Sequence, residues 1–402
     1  MSTRTLPPQL AEQLVALGLD PAAARLTWLP ATPRGADREP GPGTPGDYLV
    51  LPSVRRPQLL VPLVPAAAPL VTERRSRSRA TKLGRRVIGG ALRAGAAARL
   101  PAPRLRISDP GLEELTLAVT GSRGFDVGVM LGPPRANRKP VLRILEPRGG
   151  TWGYLKLGVN ELTDRLVARE AQALAEAAEL RIETLRPPTV RYDGEWRGRR
   201  VLATAALASS ADVRQPADLP TGPTRALSEH ARVLDVPVAE AAALRRPDAP
   251  SGAAGARIEG LADRLLGAVG SERLPLGAAH GDWTPWNMAW SGAVLEVWDW
   301  ERFATGVPQG FDAIHFEASR VRADAPEEGE PRLLAELPER LRACGVDPTL
   351  SGRLLAAYLV WIGRRYAADL LLEPARMATL RLAWVTRLLD DEVSRLETEV
   401  SR

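Results

Sequence analysis

Alternating hydrophobic and polar positions between residues 100 and 208 predict a small antiparallel sheet. Its short apolar segments are separated by clusters of Pro, Gly and charged residues, which are typical of turns. The predicted strands are 127–132, 141–145, 152–158, 189–192 and 200–207. Segments of this length with short connections favour a meander, in which each strand pairs with its neighbour in sequence.

A hydrophobic period of about 3.6 residues predicts helices around this sheet. One short helix covers 111–119, and a longer one follows Asn160, a good N-cap residue. From about residue 209 the pattern predicts helices almost throughout, interrupted only by 276–300. The last two helices are expected at 351–368 and 374–397. One antiparallel sheet followed by many helices indicates the α+β class.

The first 100 residues have a less regular pattern. Segments 48–52 and 58–63 predict short strands, and their prolines favour the edges of a sheet. Residues 73–99 predict a basic helix that is broken near its Gly-Gly pair. We therefore divide the chain into an N-terminal extension of unknown role, a sheet-containing lobe and a helical lobe. The predicted boundaries are 1–100, 101–208 and 209–402.

The positive charge of the chain is local. Its 402 residues have a formal net charge of +6. Residues 73–99 contain nine Arg or Lys and one acidic residue, Glu73, so this segment carries +8 and the remainder sums to 6 − 8 = −2. One interpretation is a basic helix that is simply exposed to solvent. The alternative is a functional contact of residues 74–99 with an anionic surface. The segment contains no aromatic residue, so nothing in it favours a nucleic-acid partner.

Several features favour a cytoplasmic protein. The single cysteine, Cys344, cannot form an internal disulfide, and its position at a predicted helix end favours a buried thiol. No apolar run approaches the roughly 18 residues that indicate a membrane span. The N-terminal residues lack the basic-then-apolar layout of a signal peptide.

Lysine is rare in this chain, which has 51 Arg and three Lys. Arg presents a planar fork, whereas Lys presents a compact point charge, so the two are not interchangeable. Lys139 and Lys156 therefore receive more weight than ordinary lysines. Asn287 is one of only three Asn residues and receives extra weight for the same reason.

The strongest chemical motif is the segment from His280 to Asn287, which has the pattern H-x-D-x-x-x-x-N. Asp282 can accept a proton from a substrate hydroxyl. A second carboxylate, Asp299, follows an apolar run twelve residues after Asn287. Asn287 and Asp299 offer oxygen ligands of the kind that Mg²⁺ prefers when it bridges nucleotide phosphates.

The order of these elements resembles a protein-kinase-like fold, and most closely the aminoglycoside phosphotransferase and choline kinase superfamily. The resemblance covers about residues 105–402. It implies a bilobal fold that uses ATP and Mg²⁺, with GTP as an alternative donor. It implies that Lys156, oriented by Glu170, holds the α- and β-phosphates. It also implies that Asp282 is the base or orients the acceptor hydroxyl, and that Asn287 and Asp299 bind Mg²⁺.

The loop between the first two predicted strands of this lobe departs from the family pattern. Residues 132–140 lack a G-x-G-x-x-G run and contain three prolines and three basic residues. Side chains could therefore replace backbone groups as phosphate ligands, and Asn137 and Lys139 are further candidates for nucleotide contacts. Soon after Asp299 the helical pattern resumes at Ile314, without a long activation segment. This favours a small-molecule acceptor over a protein acceptor.

The sequence thus predicts a kinase that transfers phosphate to a hydroxyl of a sugar, amino sugar or amino alcohol. The alternative is a nucleotide-binding pseudoenzyme that acts as a regulatory or scaffolding module. Three further expectations concern the surroundings of the motif. Asp312 caps the next helix and braces the motif loop, His315 is structural, and Trp283 is the most exposed of the nearby tryptophans.

Overall fold

The computed structural model describes residues 6–27, 46–73, 78–131, 139–207, 214–245, 252–372 and 376–401. The chain forms two compact units. The first unit comprises Met1–Ala171 and Thr189–Ala206, and the second comprises Gln172–Pro188 and Leu207–Arg402. Both strands and helices are abundant, so the predicted α+β class is confirmed.

The strands are short and are numbered along the chain. They are β1 (Ala24–Thr27), β2 (Gly46–Ser53), β3 (Arg56–Pro62), β4 (Arg104–Ile107), β5 (Asp126–Met130), β6 (Val141–Leu145), β7 (Thr151–Leu157), β8 (Leu185–Arg186), β9 (Val190–Trp196), β10 (Arg199–Ala205), β11 (Val233–Pro237), β12 (Arg273–Ala279), β13 (Met288–Ser291), β14 (Val294–Val297) and β15 (Ala304–Pro308).

The α-helices are longest near the C-terminus. They are α1 (Pro8–Ala16), α2 (Ala68–Thr72), α3 (Arg79–Arg93), α4 (Gly111–Thr120), α5 (Glu161–Ala178), α6 (Thr221–Ser228), α7 (Gly252–Val269), α8 (Phe311–Arg320), α9 (Glu330–Ala343), α10 (Ser351–Leu372) and α11 (Arg376–Val400). As predicted, Asn160 caps α5: its side-chain oxygen accepts the backbone N–H of Thr163 at 2.9 Å.

A single antiparallel sheet organises the first unit, with the strand order β1-β4-β2-β3-β5-β6-β7-β10-β9. Strands from the first 100 residues therefore lie in the same sheet as the later ones, because β3 pairs with β5 through Leu59 opposite Met130. The predicted boundary at residue 100 falls between strands that share this sheet. The pairing is non-local, so the pattern of the separate segments did not indicate it.

The two faces of the sheet bury different clusters, as the two-residue period of a strand requires. Along β2, Tyr48 and Val50 belong to one cluster, which includes Leu10 and Leu14 of α1. Leu49 faces the other cluster, which includes residues of α2 and α3. Each face thus has an apolar layer with helices in it, which fixes the strand register.

The edge positions expected for β2 and β3 are wrong. Each has a strand on both sides, with β4 and β3 beside β2, and β2 and β5 beside β3. The prolines are tolerated because they lie near strand ends. Pro52 is opposite Pro57 near the connection between the two strands, and Pro62 is the last residue of β3. A missing N–H weakens a ladder least at such ends.

The break predicted near Gly89-Gly90 is also absent, because α3 continues through both glycines. The packing of α2 explains the small residue at position 89. A β-carbon on Gly89 would lie 2.4 Å from Thr72 Cγ2, whereas one on Gly90 would meet nothing within 4 Å. Gly89 therefore permits a close approach of the two helices, and the helix tolerates the conformational cost of the pair.

The second unit combines helices with two three-stranded sheets, ordered β11-β12-β15 and β13-β14-β8. The expectation of helices almost throughout is therefore only partly correct, since β11 and β15 lie outside 276–300. The long helices α7, α10 and α11 pack together, with Leu265, Leu359 and Leu389 among their buried residues. Within the described residues, no helix has the length and hydrophobicity needed to cross a lipid bilayer.

Candidate active site

A buried ion pair joins two of the predicted residues in the first unit. Lys156 on β7 places its Nζ atom 2.5 and 2.7 Å from the two carboxylate oxygens of Glu170 on α5. The side chain of Glu170 is 3% exposed and that of Lys156 is 15% exposed. A buried pair in this bidentate arrangement fixes the position of the ammonium group, because separating the two charges would leave each without compensation.

Of the two remaining nucleotide candidates, the structure describes only Lys139. Lys139 is half-buried and precedes Val141, the first residue of β6 and the cross-strand partner of Lys156. Lys139 therefore lies two residues before the position on β6 that pairs with Lys156. Asn137 lies outside the described residues, so its predicted contact stays a prediction.

The motif loop of the second unit begins where β12 ends at Ala279 and leads to the hairpin formed by β13 and β14. Asn287 directly precedes β13, and Asp299 follows two residues after β14. Met288 pairs with Val297, and the backbone N–H of Trp298 donates to the carbonyl oxygen of Asn287 at 3.0 Å. The hairpin thus brings Asn287 and Asp299 to the same end of the two strands.

Three contacts fix the carboxylate of Asp282, and a fourth holds its backbone. Its Oδ2 atom accepts the Asn287 Nδ2 group at 2.8 Å. Its Oδ1 atom lies 3.2 Å from Nε2 of His315 and 3.5 Å from a guanidinium nitrogen of Arg365. The backbone carbonyl of Asp282 also accepts Asn287 Nδ2, at 3.0 Å. The side chain still has 27% of its surface exposed, so the carboxylate is held in place and remains reachable.

The sequence predicted that Asp312 caps α8 and braces the motif loop. The capping is wrong, since Gly310 is the N-cap residue of α8, but Asp312 does brace the loop. Its two carboxylate oxygens accept the backbone N–H groups of His280 and Gly281 at 2.7 and 3.0 Å. Gly281 has φ of +80°, and a β-carbon there would lie 2.5 Å from the carbonyl oxygen of Arg302. The backbone at this position therefore requires glycine, since both its conformation and its surroundings exclude a side chain.

His280 organises the same loop through both ring nitrogens. Nδ1 accepts the backbone N–H of Asp282 at 3.2 Å, so the proton lies on Nε2, which donates to the carbonyl of Trp298 at 3.1 Å. The ring is packed edge-on against Trp283 and Trp300. Burial lowers the pKa of His280 to about 4, against the smaller opposing effects of Asp282 and Asp299. A neutral imidazole linking the two halves of the motif is a structural element.

The electrostatics of the site keep Asp282 ionised. Burial alone would raise the pKa of Asp282, but the hydrogen bond from His315 and the positive charge of Arg365 outweigh burial and hold this pKa well below its usual range. Burial lowers the pKa of His315, although Asp282 opposes the shift. Burial also raises the pKa of Tyr358 well above its ordinary value, so its hydroxyl stays protonated.

The oxygen ligands at this end of the hairpin fit a hard cation. Both hydrogen bonds of Asn287 to Asp282 use its nitrogen, which leaves the amide oxygen as the ligand atom. Asp299 adopts a left-handed backbone conformation, with φ of +65°. In the described parts of the chain, no group of three or more His, Cys, Asp and Glu side chains could hold a metal. Mg²⁺ commonly takes one or two carboxylates and completes its shell with water and phosphate oxygens, so the pair suits it.

The expectation for Trp283 is wrong, because this side chain is fully buried. Its indole N–H donates to the hydroxyl of Thr224 at 2.9 Å, so the ring is satisfied inside the core. The exposed tryptophan is Trp286, with 54% of its surface accessible. The two residues are three positions apart in the same motif, and only tertiary packing distinguishes them.

The sequence did not identify three residues that contribute to the site. His315 was interpreted only as structural, yet it contacts Asp282, and Tyr358 in turn contacts His315 at 2.9 Å. Arg365 donates to the carbonyl of Gly281 at 3.0 Å. A signal existed for His315, which is one of three histidines and lies three residues after Asp312 on α8. Such spacing puts both on one face of the helix. Arg365 carries no local signal among 51 arginines.

The sequence comparisons give no match, either to a protein-family model or to a curated protein. Solved structures do match. A choline/ethanolamine kinase family protein from Mesorhizobium loti is 16% identical, with a TM-score of 0.42, over 71% of this chain and 95% of that one. A thermostable mutant of an aminoglycoside phosphotransferase is 14% identical, with a TM-score of 0.46, over 70% and 98%. Spectinomycin phosphotransferase in complex with ADP and spectinomycin is 12% identical, with a TM-score of 0.39, over 72% and 97%.

Proposed function

We propose that the protein is an ATP- and Mg²⁺-dependent phosphotransferase. It transfers the γ-phosphoryl group to a hydroxyl of a small polar molecule such as a sugar, an amino sugar or an amino alcohol. The observation that carries the proposal is the fixed carboxylate of Asp282, hydrogen-bonded to Asn287 at 2.8 Å. Asp299 lies at the same end of the same hairpin. Phosphoryl transfer needs this combination of a hydroxyl-orienting group and cation ligands.

Lys156 and Glu170 supply the second part of the proposal. The ammonium group of Lys156 binds the α- and β-phosphates, and Glu170 fixes its position. Asn287 and Asp299 hold the magnesium ion, which neutralises charge on the phosphate oxygens when it is bound.

The low pKa of Asp282 indicates how it acts. A carboxylate held this strongly in its ionised form is a poor proton acceptor before the reaction begins. It can accept a hydrogen bond from the acceptor hydroxyl and direct that oxygen at the phosphorus atom. The transition state of phosphoryl transfer is loose, so the hydroxyl proton needs to move to Asp282 only as the new O–P bond forms and the bond to the leaving diphosphate breaks.

A small acceptor is favoured by the short connection after Asp299. Only a 3₁₀ turn and β15 separate Asp299 from the start of α8 at Phe311. This connection leaves no room for the long activation segment with which protein kinases bind a peptide. Trp286 offers an exposed apolar surface beside Asn287 in sequence, which suits the ring of a sugar.

The test combines nucleotide binding with turnover over a panel of sugars, amino sugars and amino alcohols. For the wild type we expect Mg-ATP binding by calorimetry and release of ADP with at least one acceptor. Asp282→Asn should retain Mg-ATP binding and lose turnover by roughly 10²–10⁴-fold, the usual contribution of a positioned acid or base. Asp299→Asn should abolish the Mg²⁺ dependence of nucleotide binding, and Glu170→Gln should weaken binding.

Matched control residues are available in the chain. Glu176 lies on α5 with Glu170 but is exposed, and Asp324 is an exposed carboxylate of the second unit. Glu176→Gln and Asp324→Asn should leave binding and turnover unchanged. Mg-ATP binding without ADP release over the whole panel would contradict the proposed reaction and favour the pseudoenzyme. Asp282→Asn turnover within tenfold of the wild type would remove the role assigned to Asp282.

A further inference from the structure

Helix α3 exposes apolar and basic side chains together. Leu83 and Val87 have 63% and 55% of their surface accessible, which places them among the most exposed large apolar residues of the described chain. The helix contains four Arg and one Lys, and it contains no acidic residue. A solvated surface helix normally presents polar residues on its outer side, so this combination requires an explanation.

The exposed side chains of α3 form two adjacent stripes. At about 100° per residue, four cationic positions fall within about 60° of arc. They are Arg79, Lys82, Arg86 and Arg93, all of them exposed. The next roughly 80° of arc carries small or apolar residues. They are Ala80, Leu83, Val87 and Ala91, of which only Ala91 is half-buried.

The opposite side of α3 fixes the helix to the first unit. Leu92 is buried in the cluster that includes residues of α2, and Ile88 packs against the same cluster. Gly89 allows Thr72 of α2 to come close, as described above. The helix therefore packs one face against the core, and both stripes face outward. Its orientation is set before any partner arrives, which reduces the ordering cost of binding.

We propose that α3 docks the protein onto the surface of a bilayer that contains anionic lipids. The cationic stripe complements the lipid headgroups, while Leu83 and Val87 enter the boundary between headgroups and acyl chains. Interfacial helices combine these two features and lie in the plane of the membrane. The proposal is independent of the phosphotransferase activity.

A nucleic acid is the less suitable occupant of the same surface. The phosphate backbone would satisfy the cationic stripe but would leave the neighbouring apolar stripe in water. No aromatic residue occurs in α3, so no side chain is available to stack on bases. A membrane with anionic lipids is the partner that can contact the cationic stripe and the apolar stripe together.

The test is co-sedimentation of the full-length protein with lipid vesicles. We expect binding to phosphatidylcholine vesicles that contain about one quarter phosphatidylserine, weak binding to pure phosphatidylcholine, and a decrease with salt as the surface charge is screened. Replacing Arg79, Lys82, Arg86 and Arg93 by Gln should lower the partition coefficient by about 600-fold, at about fivefold for each of the four charges. The double variant Leu83→Gln, Val87→Gln keeps every charge and should lose about tenfold.

Two matched controls separate this surface from general effects of charge and hydrophobicity. Replacing Arg25, Arg55, Arg56 and Arg148 by Gln removes four exposed charges elsewhere in the first unit. Leu371→Gln with Leu372→Gln alters two residues of α10 that are 63% and 55% exposed. Both controls should bind vesicles like the wild type.

Three results would overturn the proposal. The first is equal binding to neutral and anionic vesicles. The second is an equal loss of binding in the control variants, which would indicate an effect of net charge or of surface hydrophobicity alone. The third is binding to a short RNA or DNA duplex that survives Leu83→Gln, Val87→Gln while vesicle binding is absent, which would identify nucleic acid as the partner. Circular dichroism on each variant verifies that the fold is retained.

Discussion

The smallest functional arrangement in this protein is a chain of three side chains that ends at Asp282. Asp282 is ionised and can only accept a hydrogen bond, so Nδ1 of His315 is left to accept the protonated hydroxyl of Tyr358. The proton of the neutral imidazole must then lie on Nε2, where it donates to Oδ1 of Asp282. This chain orients one carboxylate oxygen, while Asn287 holds the other. It explains how Asp282 can be partly exposed and still be fixed.

At the residue scale this chain predicts the titration of His315, which can be followed by NMR because the sequence contains only three histidines. In the wild type the pKa of His315 should lie below its ordinary value, since burial dominates. The carboxylate of Asp282 favours the imidazolium form, so it partly offsets burial. Asp282→Asn removes that charge and should lower the pKa of His315 further. The ring carbon shifts of His315 as a function of pH measure both values.

The same experiment has an internal reference and a second variant. The signal of His230 should not respond to Asp282→Asn, and nitrogen shifts should identify His315 as the Nε2–H tautomer. Tyr358→Phe removes the donor to Nδ1 and should allow the other tautomer. A rise in the pKa of His315 in Asp282→Asn would mean that the carboxylate does not act on this ring, and the chain would then have to be abandoned.

The residues of the site differ in how far the sequence revealed them. The resemblance to the kinase superfamily implied the pairing of Lys156 with Glu170, and the structure brings the two side chains within 2.7 Å. Asp282 and Asn287 are five residues apart and their contact is local. Arg365 and Tyr358 reach the site only through the packing of α10 against other helices, so no nearby pattern indicates them. Short-range chemistry was predictable, and contacts made by tertiary packing were not.

At the element scale, the pairing of α2 with α3 depends on a single small residue. The β-carbon position of Gly89 lies 2.4 Å from Thr72 Cγ2. Thr72 cannot easily turn away, because its hydroxyl donates to the carbonyl of Ala68 at 3.1 Å. Gly90, the next residue, is exposed and has free space. Two adjacent glycines in one helix therefore have opposite roles.

This difference predicts opposite effects on stability for two neighbouring substitutions. Gly89→Ala should lower the free energy of unfolding by about 1–2 kcal/mol, because overpacking costs about 1–3 kcal/mol and the gain in helix propensity offsets part of it. Gly90→Ala should raise it by up to about 1 kcal/mol, because alanine restricts the unfolded chain and meets no clash. Urea denaturation measures both. If Gly89→Ala were as stable as Gly90→Ala, the close approach of α2 and α3 would be wrong.

Elements were predicted accurately where the local sequence contains clear turn residues or a long apolar stripe. The strand predicted at 141–145 matches β6 residue for residue, because turn residues mark both of its ends. Helices with long apolar stripes, such as α10, were also found. The position of β2 and β3 inside the sheet was not predictable, since an edge differs from an interior strand only in its neighbours. The continuous α3 was missed because the Gly-Gly pair lowers helix propensity, and packing overrides that propensity.

At the scale of the whole molecule, the first 100 residues are the least predictable part. They supply β1, β2 and β3 to the sheet that also carries Lys156 on β7. One of the two clusters in this unit unites residues from both sides of the predicted boundary, including Leu14, Leu60, Val129 and Leu155. Contacts between segments so distant in sequence do not change the hydrophobic periodicity of either segment. For that reason the sequence predicted that residues 1–100 form a separate N-terminal extension.

This arrangement predicts that the first unit unfolds as one body. Leu60 on β3 is fully buried and pairs directly with Val129 on β5. Leu60→Ala should lower the free energy of unfolding by about 2–5 kcal/mol, the usual cost of such a cavity. Hydrogen exchange of the full chain should show the same decrease at amides of β2, β5 and β7, since a cooperative unit opens together. Val15→Ala is the control, because Val15 is 61% exposed on α1 and its loss should change no protection. If faster exchange were confined to β2 and β3, the first 100 residues would be a separable extension after all, and the sheet that carries Lys156 would be stable without them.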